Sequence, residues 1–198
     1  MKRISILLAA MAVLMLLSCE DKKKGNTEVD TPVKVLPLDS IPGIHEVHGT
    51  VGDGTSMNVL EFVDDNGDTI YVQVNTHAIM GGVHVGDEMS VIFNVTQGEN
   101  LGQVAVNMTA LQHIWSQRGA DGKEQSLELD AQGRASTYGM SVEYEAWEVK
   151  DGRLLLRSPK RVGDESPAVV DTFEILQLTA DSLVLMNGDL MTEFGRYN

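Results

Sequence analysis

A chain of 198 residues with 29 acidic side chains against 15 basic ones carries a net charge of −14. So acidic a surface repels polyphosphates, and with no basic stripe in either half of the folded region, nucleic acid is excluded as a partner class. A single cysteine excludes disulfides within the chain, so the fold must be held together by its core.

The chain opens on Lys2 and Arg3 and then an apolar run, Ile4 to Leu17, too short to cross a bilayer as a mature helix. Leu16-Leu17-Ser18-Cys19 follows, with leucine three places before the cysteine and a small residue directly before it. This resembles the lipobox of bacterial lipoproteins; the alternative is an ordinary secretory signal that ends near a cysteine. The resemblance implies that residues 1–18 are a signal peptide, removed after the Cys19 thiol is lipidated. Each buried methylene contributes about 0.8 kcal/mol, so two or three acyl chains hold a protein on a membrane without a spanning helix. Cleavage removes two basic residues and no acid, leaving 13 bases against 29 acids, a charge of −16.

Residues 19–40 read as a lipidated flexible tether: polar, proline-punctuated at Pro32 and Pro37, and poor in large apolar side chains. Lys22-Lys23-Lys24 either touches anionic head groups or is a solvated charge run. Glu20-Asp21 resembles the acidic signals of Bacteroidetes surface lipoproteins, which implies the outer membrane and leaves its face open.

From His45 onward the apolar period is two, and turn residues separate the runs. Glu46–Val51, Met57–Val63 and Thr69–Val74 are strands, with Asn66-Gly67 between the last two predicting a type I′ hairpin. A glycine-containing connection over His77–Gly86, with room for one helical turn, leads to Glu88–Thr96, where Met89, Val91, Phe93 and Val95 point inward. Gly102–Leu111 is the fifth strand, with Val104, Val106 and Met108 on one face. Five strands with a longer third connection suit a small OB-like β-barrel over residues 41–112; a plain barrel or half of a sandwich is the alternative. The interleaved basic and aromatic residues of an oligonucleotide-binding surface are absent.

A second set begins near Trp115, with hairpins over Gln125–Tyr138, Val142–Arg157 and Val169–Asn187 and a last strand over Thr192–Tyr197. Trp115, Leu127-Glu128-Leu129, Gly133, Tyr144-Glu145-Ala146-Trp147, Gly152-Arg153-Leu154-Leu155-Leu156 and Leu178 to Leu185 are similar to the lipocalin-like lipoproteins of gut Bacteroidetes. His113 stands where lipocalins usually carry a glycine. The resemblance implies a lipocalin-like β-barrel over residues 113–198, with Arg196 packed over Trp115 as a structural pair and a mouth able to hold a small ligand. The fold class is therefore all-β: two small antiparallel barrels behind a lipoprotein signal and a tether.

Tyr138, Tyr144 and Trp147 are the candidate ligand-binding aromatics. Tyr144 and Trp147, three apart on one predicted strand, point to opposite faces unless a bulge intervenes; the plainer alternative makes one core and the other surface. His45, His48, His77, His84 and His113 lack ligand spacing, and no metal or cofactor is expected. Acid pairs such as Asp64-Asp65 or Glu143 with Glu145 are common in so acidic a chain, and no nucleophile elbow or phosphate loop is present, so the protein is not read as an enzyme. The leading expectation is a membrane-anchored envelope lipoprotein that binds a small hydrophobic molecule or glycan fragment through its lipocalin-like half. The alternative is a protein-interaction or envelope-assembly lipoprotein with no ligand cavity.

Overall fold

The computed structural model describes residues 43–160 and 168–197. The expected signal peptide, Cys19 and the tether lie outside the described residues.

The first sheet holds β1 (Ile44–Val51), β2 (Val59–Asp64), β3 (Thr69–Gln73), β4 (Ile79–Met80), β5 (Glu88–Thr96) and β6 (Glu99–Asn107), in the order β3-β2-β1-β5-β6-β4. A parallel pairing at Gln73↔Leu101 joins β3 to β6 and closes five strands into a barrel of OB-like topology. Leu60, Phe62, Val72, Met89 and Val91 fill it, fully buried. The predicted helical turn in the third connection is a 3-10 turn, Thr76–Ala78. The Asn66-Gly67 hairpin is present in a different form. Gly67 has φ +86° while Asn66 is not in the left-handed region, so the turn is not type I′. The Asp64 carboxylate accepts from the amides of Asn66 and Asp68, favouring a turn that leaves only the glycine at positive φ.

The predicted fifth strand ends early. β6 stops at Asn107, whose Oδ1 accepts from the Ala110 amide and caps the helical turn Met108–Leu111. That turn delivers a fully buried Leu111 to the second barrel.

The second sheet runs through β7 (Ile114–Arg118), β8 (Glu124–Leu129), β9 (Ala135–Tyr138), β10 (Ala146–Lys150), β11 (Arg153–Arg157), β12 (Val170–Leu178), β13 (Ser182–Asn187) and β14 (Leu190–Arg196). Its order is β10-β11-β12-β13-β14-β7-β8-β9, and a bridge at Arg134↔Ala146 nearly closes it. Because every neighbouring pair is antiparallel, the connections alternate between two ends. The turns at 130–134, 151–152 and 179–181 share one end with Leu111; the connections at 119–123, 139–145 and 188–189 rim the other. The Leu111 end is the closed end and the other is the mouth.

The two barrels belong to one compact unit. On β5 the predicted inward residues Met89, Val91 and Phe93 are buried, while Val95 at the strand end is exposed. Ser90 and Ile92, on the opposite face, are buried as well, because the Asp151-Gly152 tip of the β10–β11 hairpin packs there. A Cβ built on Gly152 would lie 3.2 Å from Val104 and 3.3 Å from Ile92. The Gly81 amide also donates to the Leu178 carbonyl at 3.0 Å. Val104 and Val106 share the face the sequence predicts, and that face looks into the second barrel's core.

Candidate functional site

At the closed end Trp115 is fully buried, and its Nε1 donates to the Leu111 carbonyl at 2.9 Å. Arg196 lies directly across the ladder from Trp115, on the same face, and its Nη1 donates to the Ala180 carbonyl at 3.4 Å. His113 meets the Trp115 ring edge-on, with centroids 5.9 Å apart; burial and then the Arg196 guanidinium hold its pKa below the ordinary value. This end is stoppered by side chains and by the first barrel.

The barrel's middle is also filled. Leu127, Leu154, Leu156, Leu183, Leu185 and Phe194 are buried and pack in one cluster with Trp115, Tyr144 and Trp147. Eight strands enclose space just wide enough for side chains to fill or for one small ligand. Here side chains take it.

The three candidate aromatics divide. Tyr138 is 73% exposed and points outward from β9, away from the interior. Trp147 is buried on β10, with Nε1 donating to the Asp130 carbonyl at 2.9 Å across the β9–β10 seam. Tyr144 is buried too, so the opposite-face expectation for Tyr144 and Trp147 is corrected, as is the alternative of one core and one surface ring. The reason is that β10 begins only at Ala146. Tyr144 belongs to the connection before it, where strand alternation does not apply, and it folds back over the core.

Tyr144 closes the core from the mouth. Its hydroxyl donates to Asp171 Oδ2 at 2.7 Å, and its ring meets Phe173 edge-on at 6.5 Å. Burial, then the hydrogen bond to the Asp171 carboxylate, pushes the hydroxyl's pKa up, so it is a fixed donor at all ordinary pH. Sequence reasoning missed Asp171 and Phe173, since nothing in their spacing links them to Tyr144. Beside this lid an open cleft of about 580 Å³ lies between Met140, Ser141, Val142 and Glu143 on one side and Ser158, Pro159 and Lys160 on the other. It offers apolar walls, hydroxyls and one charge of each sign. A smaller cleft of about 240 Å³ sits outside the β9–β10 seam, against Gly133, Ala146 and Leu155.

Among the described residues no three His, Cys, Asp or Glu side chains converge as a metal group, and no buried side-chain nitrogen or oxygen lacks a hydrogen-bond partner. His45 instead stacks on Phe93, with centroids 5.4 Å apart.

Residues 110–197 match the family described as lipocalin-like. A solved structure of a lipocalin-like protein from Bacteroides thetaiotaomicron VPI-5482 is similar, with 28% identity, a TM-score of 0.37, and coverage of 44% of this chain and 97% of that one. No curated protein matches the chain. The family match falls on the second barrel, whose residues are similar to that family.

Proposed function

We propose that this chain is a non-enzymatic envelope lipoprotein, held on the outer membrane through lipid on Cys19, whose lipocalin-like barrel binds a small hydrophobic molecule or glycan fragment at its mouth. The observation that carries the binding role is the cleft of about 580 Å³ beside Tyr144. Its volume falls within the range of small-molecule sites, and it mixes apolar walls with a few polar groups that fix orientation. The lipocalin-like match supports the same role. Because the interior is filled, the ligand rests against the lid formed by Tyr144 and Phe173 and does not enter the barrel. The anchoring and the address rest on the leader sequence, Leu16 to Cys19.

The test is native mass spectrometry of the protein extracted in detergent from its own host, followed by identification of any retained small molecule. A stoichiometric ligand, lost from Val142→Trp, whose indole fills the cleft, is the expected result. An apo mass for the natural chain, with tryptophan fluorescence unmoved by lipophiles and oligosaccharides, would sink the ligand role. The filled interior favours one second reading, an interaction protein that presents its mouth to an envelope partner, and that outcome would leave it standing.

A further inference from the structure

The first barrel carries an exposed aromatic side chain that its core does not use. On β3, Ile70 and Val72 turn inward and Tyr71 turns outward, where it is 56% exposed. The ring is nevertheless held in place. Its hydroxyl donates to Oε2 of Glu61, the residue directly opposite on β2, at 2.9 Å, so the side chain reaches across the neighbouring strand. Glu61 Oε1 in turn accepts from the Gly54 amide at 3.2 Å, and Asn100 Nδ2 donates to the Tyr71 carbonyl at 3.0 Å. A surface tyrosine tied at both its hydroxyl and its backbone loses little further freedom on contact with a ligand.

Tyr71 lines an open cleft of about 610 Å³ between β3 and the β5–β6 turn. Thr69, Gln73, Glu99 and Asn100 also line the cleft, bringing a hydroxyl, two amides and a carboxylate to it, and no lysine, arginine or histidine does. An anionic ligand would meet carboxylate and no counter-charge, in a chain already strongly acidic. A purely apolar ligand would strand the amides and the carboxylate. A sugar ring satisfies both halves of the site: its axial C–H face packs on an aromatic ring, and its hydroxyls donate to carboxylate and exchange hydrogen bonds with amides.

We propose that this cleft binds a neutral oligosaccharide, with one pyranose ring stacked on Tyr71 and its hydroxyls paired with Gln73, Glu99 and Asn100. The site is independent of the mouth of the second barrel. The test screens the full chain against an array of neutral oligosaccharides and titrates the best binder calorimetrically. Saturable one-to-one binding is expected, weakened about tenfold by Tyr71→Ala and similarly by Gln73→Ala, and held within about threefold by Tyr71→Phe, which keeps the ring. Val142→Trp at the mouth leaves this binding unchanged. The proposal is overturned if no neutral oligosaccharide binds saturably, if Tyr71→Ala binds like the natural chain, or if spermidine binds the cleft in preference to every sugar.

Discussion

Glu46 holds the two barrels together from a position that looks ordinary in the sequence. Its side chain is 8% exposed; Oε2 accepts from the Asp151 amide at 3.0 Å and Oε1 from the Ser90 hydroxyl at 3.0 Å, with His48 Nε2 at 3.9 Å. Burial by itself would raise its pKa, but the His48 imidazole, the Asp151 amide and the Ser90 hydroxyl outweigh that and leave it below 4.5. Glu46 raises the His48 pKa above 6.5, with Asp65 and Glu148 adding to the effect. A lowered acid stabilises the folded state above its unfolded value and loses that contribution as pH falls through its folded pKa. A raised histidine stabilises below 6.5 and loses its contribution as pH rises through its folded pKa. The junction is therefore tightest between about pH 4.5 and 6.5. Urea midpoints across pH are expected to show Glu46→Gln most destabilising relative to the natural chain inside that window, and least destabilising at lower pH. A pH-independent difference would remove the ionic role. None of this was legible in the sequence, because Glu46 is one of 29 acids and its amide donor lies 105 residues away.

Most of the strands were legible because local chemistry sets them. Period two, Asp-Gly at 151–152 and the turn residues at 130–133 and 179–181 place hairpins without reference to the rest of the chain. Two features were not. The alternation of Val104, Val106 and Met108 continues past the point where Asn107 caps a helical turn, so it predicts a longer strand than forms. Burial of both faces of β5 comes from the second barrel, which a pattern read along one strand does not report. The close approach at Gly81 also lies beyond pattern. Its φ is +90°, and a Cβ there would lie 2.8 Å from Ala110 Cβ and 2.9 Å from both Asn107 Cβ and Leu178 Cδ2. Gly82 also has positive φ, +73°, but faces open space. Gly82→Ala should cost about 1 kcal/mol, and Gly81→Ala distinctly more, since it adds overpacking worth about 1–3 kcal/mol. Thermal denaturation of the two variants compares them directly; equal costs would mean that the contact between barrels yields freely.

At the scale of the molecule the boundary between the barrels is not a gap. Val106 and Leu111, at the end of the first barrel and in the turn after it, are fully buried in the same cluster as Trp115, Leu154 and Leu183. One core therefore continues past the end of the first sheet. Leu111→Ala is expected to cost about 2–5 kcal/mol and to lower hydrogen-exchange protection in both barrels together. Loss of protection confined to β7–β14 would show that they unfold separately. The two attachments, Glu46 to Asp151 and Gly81 to Leu178, lie on different parts of the first sheet, on β1 and just after β4, three strands apart in its order. A single pin leaves a pivot; two pins so separated forbid rotation about either. The two barrels then turn as one body, and the mouth of the second keeps a fixed heading relative to the first.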